Sequence, residues 1–165
     1  MAIREIRFFG DPVLRSATDP ITTVDDSIRA LVTDLLDTVA LPGRAGLAAN
    51  QVGVGLRAFS FNVNGRSGYI LNPVLAEVRG EPELVDEGCL SVPGFTFPRL
   101  RHPWARVTGT DLDGNSIELE GDGLMAQALQ HETDHLDGRL YIEGLDPAVK
   151  KEAMRAIRGS AWFRG

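Results

Sequence analysis

Cysteine is nearly absent from this sequence: Cys89 is the only one in 165 residues. No intramolecular disulfide can form, so a reducing, cytoplasmic setting is expected. Histidine is almost as scarce, with three positions, and lysine occurs only as Lys150 and Lys151 among 17 basic residues. Nothing in the sequence explains the shortage of lysine. Long apolar runs are missing too. The opening stretch MAIREIRFFGDPVLR carries charge at Arg4, Glu5 and Arg7, so it reads as neither a signal peptide nor an anchor. No segment approaches the length of a membrane span. Internal repeats and low-complexity linkers are also lacking. Excess positive charge is absent: the formal net charge is -6 and the pI about 5.0. That argues against nucleic-acid binding by bulk attraction and leaves only a local basic patch open.

Hydrophobic residues make up 43% of the chain, enough for a real core, and one domain spanning 1–165 is the simplest arrangement. A turn is expected at Asp11-Pro12. Apolar residues at 28, 31, 32, 35, 36 and 39 recur at helical spacing, predicting a helix from about Val24 to Val39 with Thr23 as its cap and Pro42-Gly43 as its stop. Strand patterns follow at Arg57 to Val63 and Gly68 to Leu75 around an Asn64-Gly65 turn. A short segment near Glu83 to Val85 leads into EGCLSVPG, and Gly94 to Arg101 reads as a loop. Trp104 to Leu112 and Ser116 to Leu119 form a second expected hairpin around Asp113-Gly114. Asp122 is placed to cap a helix running to about Leu136, with Gly138 at its end. Arg139 to Ile142 suits one more short strand, and Asp146-Pro147 opens a last helix to about Arg158. The whole predicts an α+β fold: antiparallel β-sheets packed around a central helix, with helices near both ends.

HETDH, residues 131–135, lies in that central helix. On a helix, i and i+4 share a face, so His131 and His135 can grip one metal ion with Glu132 beside it as a base. A catalytic ion of this kind needs three protein ligands and an open position. Tyr141 stands where one class of HExxH peptidase has its third histidine. His102 sits beside Pro103 in an arginine-rich stretch and reads as a surface residue. Glu152 lies among Lys150, Lys151 and Arg155 on a solvated face. Cys89 remains. It follows Glu87-Gly88, where glycine lets the backbone approach an ion, and a bound metal would deprotonate its thiol. Cys89, His131 and His135 then make a Cys-His-His set. Such a set also occurs in copper electron carriers, but that role leaves Glu132 unexplained.

RAGLAANQ at 44–51, EGCLS at 87–91 and HETDH at 131–135 resemble, in this order, the three signature motifs of peptide deformylases. FGDPVLR at 9–15 is similar to that family's N-terminal segment, and the likeness runs to about residue 145. The resemblance implies a metal-dependent hydrolase that removes formate from N-formylmethionine at the start of new proteins. In that family a water on the metal attacks and a glutamate is the general base. The resemblance implies Cys89, His131 and His135 as metal ligands, Glu132 as the base, and the Gln51 side chain and Leu90 N–H as oxyanion donors. It implies one divalent ion, physiologically Fe2+, with Zn2+, Ni2+ or Co2+ able to occupy the site. The family's first motif usually opens with glycine-x-glycine, and here Arg44 takes the first of those positions, before Ala45-Gly46. That departure touches the substrate cleft and leaves the metal and base untouched.

A slot for the methionine side chain is expected among small and apolar residues. Ala45, Ala48 and Ala49 leave space. Val85, Leu124 and Ala128 are candidate walls, Gln127 a polar tip, and Arg44, Gly46 and Gly88 further contacts. Ordinary core packing is the plain alternative for all of them. Arg99 and Arg101 read as solvated arginines, with peptide binding as the alternative. Lys150, Lys151, Arg155, Arg158 and Arg164 gather near the end of an acidic chain. They suggest a solvated helix face or a transient ribosome contact. A monomer without membrane contact completes the expectation. The competing function is a catalytically silent relative that binds metal or peptide, favoured only by Arg44.

Overall fold

Asp25 starts the first helix by accepting the Ile28 N–H at 3.1 Å, which satisfies one of the free donors of a helix start. The helix, α1 (Asp26–Val39), buries Ile28, Leu31, Val32, Leu35 and Val39. Its stripe falls as the spacing predicts, but the cap is Asp25 rather than Thr23. The computed structural model describes residues 2–164. After α1 come β1 (Gly46–Ala48), a 3-10 turn (Ala49–Val52), β2 (Ala58–Val63) and β3 (Arg66–Arg79). Then follow β4 (Glu83–Cys89), β5 (Val92–Arg101), β6 (Trp104–Thr110), β7 (Ser116–Asp122) and α2 (Gly123–Leu136). A 3-10 turn (Tyr141–Gly144) and α3 (Pro147–Arg158) complete the order.

The β2–β3 hairpin closes at Asn64-Gly65, both with positive φ (52° and 81°), the backbone a two-residue turn between twisted strands requires. Five strands pair antiparallel in the order β1-β2-β3-β6-β7, and β4 pairs with β5 in a separate two-stranded sheet. β1 is therefore an edge. Side chains alternate across β2: Phe59, Phe61 and Val63 join α2's Ala126, Leu129 and Leu136 in one core. On the other face, Ala58 joins a second core with Leu31, Leu35 and Val39 of α1, and the Ser60 hydroxyl donates to the Leu35 carbonyl at 3.0 Å. A third core gathers Leu14, Tyr141, Ile142 and Ile157. The fold is α+β, with α2 buried at its centre. No helix among the described residues is long and apolar enough to cross a membrane.

Two expected elements are corrected. The stretch 94–101 is not a loop but most of β5, paired along β4 from Glu83↔Arg101 to Gly88↔Thr96. The two prolines of β5, Pro93 and Pro98, are tolerated because each strand of a two-stranded sheet has a free edge. Arg139 to Ile142 is not a strand. Tyr141–Gly144 is a 3-10 turn whose Tyr141 and Ile142 are buried, so tertiary packing overrides their β preference. Asp122 occupies the N-cap position of α2 without a side-chain capping bond. Asp146 does cap α3, accepting the Ala148 N–H.

Candidate metal centre

A break in the β4–β5 ladder shapes the site. Gly88 pairs with Thr96, but Cys89 pairs with Val92, so no residue of β4 opposes Pro93, Gly94 and Phe95. Such bulges re-aim side chains and bend the strand. Here the bulge presents Cys89 towards α2 while residues 93–95 flare out to line a cavity of about 550 Å³. α2 supplies the opposite wall with His131 and Glu132.

Cys89 Sγ lies 3.2 Å from His135 Nε2, which lies 3.1 Å from His131 Nε2. All three donor atoms fall within 4.8 Å of one another. The tautomer of His131 follows from its other nitrogen. Nδ1–H donates to Glu87 at 2.7 Å, which leaves Nε2 as the nitrogen that faces Cys89 and His135. Glu87 is 1% exposed and is itself held by Arg101, whose Nε and Nη2 donate at 2.8 and 2.6 Å. Burial opposes ionisation of Glu87, yet the bonds from Arg101 and His131 bring its pKa down to about 2. Arg101 also donates to Asp134 at 2.8 Å. Arg101 is thus buried in an ion-pair network and is not a solvated arginine. Its partners Glu87 and Asp134 flank the motif residues, and sequence reasoning gave neither a role. A glutamate two residues before a ligand cysteine was a usable signal, because ligand histidines regularly donate to a carboxylate.

Glu132 stands on the other side of the ligand group, with Oε2 3.9 Å from His131 Nε2. Oε1 is buried without a protein partner. Burial pushes its pKa up to about 7, against the pull of His131. Gly46 makes room for it: a Cβ there would fall 2.5 Å from Glu132 Oε2. Burial disfavours a charge on His131, but Glu132 and Cys89 outweigh it and raise its pKa well above the usual value. His135 is pushed well down, by burial first and then by His131. Three acidic groups thus bear on one imidazole, and a thiol and two imidazole nitrogens converge beside them. A divalent cation fits this donor set by charge and by ligand chemistry.

Gln51 is buried in the Ala49–Val52 turn. Its Oε1 accepts the Ala48 N–H at 2.9 Å, and its Nε2 points to Cys89 Sγ (3.6 Å) and Ser91 Oγ (3.1 Å). Leu90 lines the same cavity, as do Arg44, Ala45, Gly46, Gly88, Leu124, Gln127 and Ala128. Val85 does not. It faces a neighbouring groove with Arg101 and His102, because it lies four residues back along β4 from Cys89, beyond the end of the cavity. Ala48 and Ala49 are fully buried core residues and leave no space in the cavity. His102 is half-buried and tied through Nδ1 to the Gly80 carbonyl. Tyr141 packs its ring on His131, centroids 5.9 Å apart. Glu152 is exposed on α3.

Fold and site together define a hydrolase-like HExxH helix with a cysteine placed to complete a three-donor metal-binding group. The family model for polypeptide deformylase matches residues 3–151. "Peptide deformylase 1" of Corynebacterium glutamicum is 46% identical, covering 99% of both chains. The peptide deformylase of Acidothermus cellulolyticus is 48% identical over 98% of this chain and 89% of its own. Among solved structures, a peptide deformylase from Legionella pneumophila superposes with a TM-score of 0.88 at 36% identity, covering 95% of this chain and 94% of the other. One from Ehrlichia chaffeensis, in complex with actinonin, gives 0.88 at 31% identity over 99% and 100%. The chain belongs to the polypeptide deformylase family, and it is an enzyme of that class.

Proposed function

We propose that this chain hydrolyses the formamide of N-formylmethionine at the start of newly made polypeptides, releasing formate and a free amine. The observation that carries this reading is a buried carboxylate oxygen of Glu132, without a partner, beside three converging ligand atoms. A divalent ion held by Cys89, His131 and His135 supplies Lewis acidity and lowers the pKa of water at the site. Glu132 takes the proton of the attacking water and delivers it to the leaving amine. Gln51 Nε2 and the Leu90 N–H donate to the developing oxyanion, each such donor typically worth about 3–4 kcal/mol. The Gln51 amide is pre-oriented, because its oxygen is already committed to Ala48.

The peptide lies extended along the free edge of β1, an arrangement in which main-chain bonds give affinity and a side-chain pocket gives specificity. Leu124, Gln127 and Ala128 receive the methionine side chain. Fe2+ is the proposed physiological ion, with Zn2+, Ni2+ or Co2+ as substitutes, since thiolate and imidazole donors accept all four. The chain is proposed to act in the cytoplasm as a monomer. The exposed Lys150, Lys151 and Arg158 border a groove with Met154 and are proposed to meet ribosomal RNA transiently. Unchanged ribosome co-sedimentation after removal of residues 147–165 would discard that contact. The central test is formate release from a formyl-methionyl tripeptide by protein loaded with nickel, or anaerobically with ferrous iron. Release is expected, with a fall of about 10²–10⁴ in Glu132→Ala. No release from folded, metal-loaded protein would favour the silent, ligand-binding alternative.

A further inference from the structure

Arg44 lines the cavity and is half-buried. Its Nη1 donates to the Thr38 carbonyl at 3.0 Å, in the last turn of α1, where unpaired helix carbonyls attract a cation. No carboxylate pairs with it among the described residues. Other arginines that are at least partly buried, Arg57, Arg101 and Arg106, sit against acidic side chains, whereas those without an ion pair, such as Arg15, Arg29 and Arg66, are exposed and away from the cavity. On a protein of net charge -6, this guanidinium keeps an uncompensated charge at the cavity wall.

Its place along the edge strand sets what it meets. Gly46 abuts Glu132, so the reacting end of a bound peptide lies at the level of Gly46. Arg44 lies two residues earlier, about 7 Å along an extended chain. A peptide laid along this edge brings its second or third residue to that level. Asp86 is the other exposed charge on the cavity wall, and no ion pair involves it among the described residues.

We propose that Arg44 is a specificity-determining residue that favours substrates with a carboxylate side chain in the two residues after methionine. The inference rests on the deformylase reading and adds to it a substrate class. Asp86 acts in the opposite sense, disfavouring acidic side chains that approach its wall.

The test uses metal-loaded enzyme and formyl-methionyl tripeptide amides, which lack a terminal carboxylate, with Glu, Gln or Lys at the second or third position. Formate release is followed at low and high salt for wild type, Arg44→Gln, Arg44→Lys and Asp86→Asn. At one of the two positions, wild type is expected to prefer Glu over Lys by about 3- to 10-fold in kcat/KM, mainly through KM. The preference should shrink in high salt, collapse towards unity in Arg44→Gln, survive in Arg44→Lys and widen in Asp86→Asn. An unchanged Glu-to-Lys ratio in Arg44→Gln would overturn the inference, also where that variant melts earlier; Arg44 would then only clasp the end of α1. Absence of release from every peptide by wild type would overturn the deformylase reading and this inference with it.

Discussion

Two polar clusters meet at His131, and they are built on opposite principles. On one side, Glu87, Arg101 and Asp134 form a network in which the Glu87 carboxylate is fully engaged by Arg101 and His131. On the other, Glu132 Oε1 is buried without a protein partner, and three donor atoms crowd together. A buried polar group without a partner costs roughly 1–3 kcal/mol, and the Glu132 oxygen is one that stands beside three converging donor atoms. The satisfied cluster supports, and the unsatisfied one receives. Similar residue types thus serve different ends a few ångströms apart.

The sharpest way to break this contrast is to halve the supporting cluster. Arg101→Met leaves Glu87 buried without its guanidinium, and a loss of about 3–5 kcal/mol is expected in urea denaturation. Replacing a receiving group should do the reverse. Glu132→Gln should leave the urea midpoint nearly unchanged, or raise it, while formate release falls by a factor of at least about 100. A midpoint drop as large as that of Arg101→Met would show that both clusters support the fold. Between these extremes, Glu87→Gln keeps the shape but weakens the orienting bond to His131. Metal affinity, read by competition with a chelator, should fall about 10- to 100-fold. Gly46→Ala should displace the Glu132 side chain, lowering kcat with little change in metal affinity.

The smallest effect lies far from both clusters. Burial opposes the charge on Asp34, but the bonds from Arg4 and the Ala2 N–H win and hold its pKa below the usual 3.8. A lowered folded-state pKa means its contribution is complete above that value and fades as pH falls below it. Amide exchange at residues 2–6 should therefore speed up selectively below about pH 4, and Asp34→Asn should abolish that step.

The same contrast governs what could be read without coordinates. Helix α1, helix α3 and both hairpins of the five-stranded sheet follow from local signals: spacing of apolar residues, Asn64-Gly65, Asp113-Gly114, Asp146-Pro147. The receiving groups are legible too, because their spacing in HETDH is itself local. The supporting cluster is legible only at Glu87, two residues before Cys89. Arg101 owes its burial to Glu87 on the neighbouring strand and to Asp134 on α2, partners named by tertiary structure alone. β5 was obscured for a related reason. Pro93, Gly94 and Pro98 read as loop chemistry, although Phe95, Phe97, Arg99 and Arg101 do alternate towards the interior. Val85 shares a side of β4 with Cys89 but lies four residues away, a distance that the short segment 83–85 read from the sequence does not reveal.

The ligand set has a mechanical consequence. Cys89 belongs to the β4–β5 ribbon, which shares no ladder with the main sheet, whereas both histidines belong to the central helix. An ion held among them is a reversible rivet between two segments distant along the chain, and such closures of long loops restrict the unfolded state most. Chelation should then do more than silence the enzyme. Hydrogen exchange along residues 83–101 should accelerate well before the five-stranded sheet loosens, and returning the ion should fasten the ribbon again without a refolding step.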